Sequence, residues 1–208
     1  MGVHSLIHLN HNLLCAIDLE TTGLTPAFHE IVQMAFVPLD AKLEPSREYP
    51  VFDVLLKPNH PERANSEARR IITKAKLASA VRSGFDQVAA FDLWEQWFQK
   101  LCLPEKRRIV PLGHNYAYFD AIMLREWMGN ENYSHYMDSR TRDTYLIAEH
   151  MNDRADFNSE QTPFPRLSLS FLASKLGIEV DPGSTHDAFY DACLSARIYK
   201  KMVKDITL

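Results

Sequence analysis

Five apolar residues in a row, Leu13 to Ile17, run directly into Asp18, and the run is broken at Gly23. A stretch that short and that continuous reads as a buried strand delivering a carboxylate at its end. Two more apolar segments, 31–39 and 51–56, are separated by a polar connection at 40–50, so the first third of the chain is expected to form an antiparallel three-stranded meander. Lys57-Pro58-Asn59-His60-Pro61 closes it.

Helical spacing follows at 67–77. It returns as an i, i+3, i+4 stripe through Phe85, Val88, Ala89, Leu93, Trp94, Trp97, Phe98 and Leu101, which assigns both tryptophans to the core. Ile109, Val110 and Leu112 make a short strand that ends at Gly113, and 121–128 is helical again. Asp143 is placed to cap a helix over 144–150, or to serve the site described below. The polar stretch 152–166 is expected to be a mobile loop, 169–176 a helix closed by Gly177, and 188–203 the last helix. No repeat or second domain is visible, so 1–208 is expected to be a single domain with a flexible segment at 1–11.

The formal net charge of −4 excludes a protein that coats nucleic acid by charge alone, since such domains are strongly basic. A polyanionic partner must be held locally, by metal ions or by small basic clusters such as Arg63, Arg69, Arg70, Lys74 and Lys76, or Lys106, Arg107 and Arg108. Cys15, Cys102 and Cys193 are odd in number and lack a CxxC pair, which suits a reducing compartment. No stretch approaches the roughly 20 apolar residues of a membrane span, and the N-terminus lacks a secretory pattern, so a soluble, cytoplasmic protein is expected. His4, His8 and His11 have no cysteine or carboxylate companion at ligand spacing.

Chemistry concentrates in three short segments. In Asp18-Leu19-Glu20-Thr21-Thr22-Gly23, the period of two points Asp18 and Glu20 to one side of a strand, where they repel unless a cation offsets them. In Asn115-Tyr116-Ala117-Tyr118-Phe119-Asp120, a strand-to-helix change falls beside a carboxylate that faces the same sheet edge as Asp18 or merely caps its helix. In His186-Asp187-Ala188-Phe189-Tyr190-Asp191, a five-residue separation lets His186 and Asp191 meet at one site.

The patterns D-x-E-T-T-G, N-x-x-x-F-D and H-x-A-x-x-D, in this order, resemble the three exonuclease motifs of the DnaQ-like family in its DEDDh branch, over nearly the whole chain. The resemblance implies an α/β, ribonuclease H-like fold: a mixed central sheet with antiparallel first three strands, flanked by helices. It also implies that Asp18, Glu20, Asp120 and Asp191 hold two Mg²⁺ or Mn²⁺ ions and that His186 is the general base. Tyrosine-type members carry Tyr at the position occupied here by Asp187.

Smaller features are read beside the same resemblance. Leu24 is similar to the apolar residue wedged against a terminal base, or it simply packs. Backbone amides around Thr21 and Thr22 would meet a 3′-hydroxyl, and Asn115 would tie the site to the substrate end or to a neighbouring carboxylate. Ile71-Ile72-Thr73 lacks the glycine of the usual Ala-x-x-x-Gly-Ile segment, and Gln33 replaces the acidic residue common on the second strand.

The expected activity is a 3′→5′ exonuclease that releases nucleoside 5′-monophosphates from single-stranded DNA, with RNA trimming as the alternative and a non-catalytic binding module as the competitor from another class. Because the chain ends just past its last helix, a stand-alone nuclease without a polymerase or tethering domain is expected. Oligomeric state, a homodimer included, is left open.

Overall fold

The computed structural model describes residues 6–64 and 74–205. Its centre is β1 (Leu13–Thr21), whose residues are buried except for partial exposure at Asp18. On one edge β1 pairs antiparallel with β2 (Ile31–Pro38), which pairs antiparallel with β3 (Phe52–Leu55). On the other edge it pairs parallel with β4 (Ile109–Gly113), followed by the two-residue β5 (Arg142–Asp143), giving the order β3-β2-β1-β4-β5. This is the mixed sheet with antiparallel first three strands that the motifs imply.

Because strand side chains alternate, β1 feeds two cores. Leu13, Cys15, Ile17 and Leu19 face Phe36, Trp94 and Trp97, where α2 (Gln87–Lys100) lies. Leu14 and Ala16 face Ala188, Ala192, Ala196 and Tyr199 of α7 (Ala188–Asp205). Alanines at i, i+4 and i+8 give that helix a narrow face, so it sits close against the sheet. Asp18 and Glu20 share this second face, at its open end.

The other described helices are α1 (Lys74–Ser83), α3 (Asp120–Met128) and α4 (Asn130–Tyr136), the latter two joining the first core, and α5 (Thr144–Phe157) and α6 (Leu169–Lys175), which pack against α7. Trp94 is fully buried, as its stripe requires, and Asp86 caps α2 by accepting the N–H groups of Val88 and Ala89.

Several sequence expectations need correction. The helix foreseen at 67–77 lies partly outside the described residues, and its described part continues to Ser83. Within the segment 1–11, residues 7–9 form a short 3₁₀ turn that puts Leu9 fully in the core. The expected loop 152–166 begins as helix, because α5 continues to Phe157 with Ala148 and Ala155 buried on one face. Its remainder is pinned, since Asn152 Nδ2 donates to the Phe164 carbonyl and the Phe164 N–H donates to Asn152 Oδ1. Neither α4 nor β5 was foreseen.

Candidate active site

The motif carboxylates converge at the C-terminal end of β1. Asp18 and Glu20 come from the strand itself, Asp120 from the first turn of α3, and Asp191 from the first turn of α7. Glu20, Asp120 and Asp191 are each under 9% exposed. Ends of strands next to helix starts are where open α/β sheets place ligands.

The turn from β4 to α3 is held from outside the motif. Asp143 accepts the Asn115 N–H (2.8 Å) and the Tyr145 N–H (3.0 Å) through Oδ1, and the Ala117 N–H (3.2 Å) through Oδ2. It is therefore both a helix cap and the staple of the Asn115 turn. Asn115 itself has a φ of 61°, in the left-handed region that asparagine tolerates. Asp120 lies close enough to β1 for the Leu19 N–H to favour its charged form.

Electrostatics mark these four carboxylates as mutually destabilised. Burial raises the pKa of Asp18 well above the usual range, and the charges of Asp120, Glu20 and Asp191 add to it while Lys76 opposes. Burial pushes Glu20 up to about 7, against the pull of Lys76 and with the help of Asp191 and Asp187. Asp120 is raised by burial and by Asp143, and Asp191 is raised by burial despite the His186 N–H. Asp191 Oδ1 is buried and has no hydrogen-bond partner, while Oδ2 accepts the His186 N–H at 3.0 Å. Ligand atoms of Glu20, His186 and Asp191 lie within 4.8 Å of one another. Crowded, desolvated carboxylates with an orphaned oxygen have the chemistry of a divalent-cation site built from hard donors, so the residues fit such an ion.

His186 stands on an exposed turn with a φ of 63°. For a residue with a Cβ this costs roughly 1–2 kcal/mol, so bonds at the turn must hold it there.

The comparisons with known proteins bear on this arrangement. A family model described as RNase_T, exonuclease, matches residues 15–199. The chain belongs to this exonuclease family, the DnaQ-like group. An oligoribonuclease from Buchnera aphidicola subsp. Schizaphis graminum is 31% identical to the exonuclease over 145 residues, 69% of this chain and 76% of the relative. Among solved structures, E. coli exonuclease I in complex with a dT13 oligonucleotide superposes with a TM-score of 0.69 at 21% identity, over 93% of this chain and 41% of that one. The exonuclease thus spans well under half the length of exonuclease I. The nuclease domain of 3′hExo, a DEDDh family member bound to rAMP, gives a TM-score of 0.63 at 18% identity, covering 94% and 93% of the two chains.

The smaller sequence expectations fare unevenly in the exonuclease. Leu24 is 60% exposed. Thr21 donates its hydroxyl to the Gly23 carbonyl at 2.8 Å. Thr22 is fully buried, its N–H donates to the Glu30 carbonyl and its hydroxyl accepts the Glu30 N–H, so it braces the turn and offers no surface. At Gly23 a Cβ would lie 2.4 Å from the His29 ring, so the glycine lets that ring lie against the turn. Arg63 stacks over Phe28, and Arg69 and Arg70 lie outside the described residues.

Sequence reasoning missed the second layer around the carboxylates. Gln33 lies opposite Glu20 in the β1–β2 register. Its Nε2 donates to Asp53 Oδ1 (2.9 Å) and Asp187 Oδ2 (3.3 Å), and its Oε1 accepts from Lys76 Nζ (2.8 Å) and the Ala188 N–H (3.3 Å). All four hydrogen-bonding positions of the amide are used. The one available signal was glutamine where an acid is common, and its consequence could be read only with the strand register known.

Proposed function

We propose that this exonuclease works 3′→5′ on single strands, with Mg²⁺ or Mn²⁺, releasing nucleoside 5′-monophosphates. The observation that carries this reading is the cluster of Asp18, Glu20, Asp120 and Asp191 at one strand end, crowded enough that Glu20 is pushed up to about 7 and Asp191 Oδ1 is left without a partner. In the reading, the four carboxylates hold the ions and His186, whose ring nitrogen can accept a proton, takes the proton of the attacking water. Divalent ions held by these carboxylates would supply charge to offset the phosphate and would make the attacking water more acidic. Exposed Leu24 packs against the terminal base, and the Asn115 side chain approaches the substrate end.

Single-stranded DNA is the expected polymer. RNA is the second reading, favoured by the 31% identity to an oligoribonuclease. The two differ in the 2′-hydroxyl, which a protein must contact to tell them apart.

Digestion of matched 5′-labelled single-stranded DNA and RNA tests both. The parent protein is expected to shorten labelled strands stepwise with Mg²⁺ or Mn²⁺, and chelator or Asp18→Ala to stop it. Cutting that persists in Asp18→Ala, or a parent protein inert on both polymers, sinks the assignment. A His186→Ala variant as fast as the parent removes His186 from the base role.

A further inference from the structure

The His186 peptide is gripped at both ends. Its N–H donates to Asp191 Oδ2 at 3.0 Å, and its carbonyl accepts from Lys76 Nζ at 2.7 Å. Between the two bonds lies the left-handed φ of 63°, a conformation that persists in a non-glycine residue only when its surroundings hold it. Asp191 is one turn away on α7, whereas Lys76 comes from α1, over a hundred residues earlier. Lys76 therefore ties the turn to a separate element.

Its aim is set by three acceptors among the described residues. Besides the His186 carbonyl, Nζ donates to Gln33 Oε1 at 2.8 Å and to Asp187 Oδ2 at 3.1 Å, and the side chain is 16% exposed. Gln33 must present its oxygen to Lys76, because its nitrogen is committed to Asp53 and Asp187. An ammonium, which only donates, suits a place lined by these acceptor oxygens. A carboxylate at position 76 would have nothing to donate to the carbonyl and would join the repulsion among the metal-site acids.

We propose that Lys76 is a positioning residue for His186, clamping the backbone of its turn so that the imidazole stays beside Glu20 and Asp191. The proposal rests on the reading of His186 as general base. Lys76 also lowers the carboxylates' pKa values through space, and a role limited to charge balance makes different predictions, because it would act whether or not His186 is present.

The test uses the full chain carrying Lys76→Met or Lys76→Arg, each alone and combined with His186→Ala, with kcat and KM measured on a 5′-labelled single strand in Mg²⁺. Lys76→Met is expected to lower kcat about 10- to 100-fold with KM nearly unchanged, since misplacing a catalytic group by about 1 Å costs that order of rate. Lys76→Arg, which keeps donors and charge, is expected to recover most of the loss. In the His186→Ala background, Lys76→Met is expected to cost nothing further, because residues acting as a unit are non-additive. A Lys76→Met loss that multiplies with that of His186→Ala overturns the proposal, as does a Lys76→Met variant with the parent's kcat.

Hydrogen exchange of residues 184–188 in chelated protein supplies a readout independent of cleavage: exchange faster in Lys76→Met than in the parent supports the clamp, and unchanged exchange overturns it. If the parent cuts neither polymer, the functional reading fails while the exchange result still judges the clamp. If Lys76→Met does not melt cooperatively, Lys76→Gln takes its place in every arm.

Discussion

Replacing Gln33 by glutamate exchanges one polar atom, and its consequence can be worked out in advance. Gln33→Glu keeps an oxygen for Lys76 and Ala188 but removes the donor that Asp53 and Asp187 share. Hydrogen bonds to charged acceptors contribute roughly 1.5–3 kcal/mol each. Because Asp187 is 39% exposed, water screens part of the loss there, and the low end of that range applied twice gives about 3 kcal/mol. In a chain of this size that lowers Tm by about 6–12 °C.

The pH dependence has a definite sign. Burial raises Asp53, with the Gln33 bond opposing. Burial also pushes Asp187 upward, but the Tyr190 N–H, Lys76 and Gln33 outweigh it and leave its pKa lowered. Removing the Gln33 donor raises both, and the introduced carboxylate, facing two others, is raised as well. Groups whose folded pKa is raised lose stability as pH climbs from the unfolded value, about 4, through the folded one. The deficit is therefore small near pH 4.5 and full by pH 8. Urea or thermal unfolding of parent and variant in chelator, at both pH values, measures it. An equal deficit at the two pH values, or none at pH 8, refutes the reasoning, and Asp187→Asn in the same chain should restore part of the stability.

Two further perturbations follow from the same geometry. Glu20→Gln removes a carboxyl whose pKa rises from 4.5 to about 7 on folding, so relative to the parent the metal-free variant should gain roughly 3 kcal/mol at pH 8 and little at pH 4.5; a gain independent of pH in thermal melts contradicts this. Asp143→Ala deletes a cap and the two bonds that hold the Asn115 turn, so it should cost about 2–4 kcal/mol in urea unfolding and lower nuclease rates through misplacement of Asp120; a stable variant with parental activity would refute the staple.

Much of the fold was legible because its signals are local. Leu13 to Ile17 announced the central strand, the spacing of Trp94 and Trp97 announced a core helix, and Gly177, with a φ of 69°, ended α6 where expected. The motif carboxylates were legible for the same reason. Elements that escaped are those formed by tertiary contact. In α4 only Tyr133 is buried, and its hydroxyl meets that of Tyr116, so no apolar stripe advertises the helix. In α5, Asn152, Asp153 and Asp156 are weak helix formers, and the turn they occupy is kept by Ala155 on the buried face. The arrangement of Gln33, Asp53, Lys76 and Asp187 draws on four separate elements, and nothing in any one segment foretells the others.

The position of β1 separates the candidate site into parts of unequal permanence. With partners along both edges and helices over both faces, this strand cannot release Asp18 or Glu20 unless the sheet itself comes apart. His186, by contrast, stands on an exposed turn held at its backbone by two hydrogen bonds. Local opening draws on the elements with the fewest buried contacts. Asp18 and Glu20 therefore share the stability of the whole sheet, whereas the turn carrying the proposed base has a lower threshold of its own, and the protein can keep these two carboxylates in place while His186 has already left.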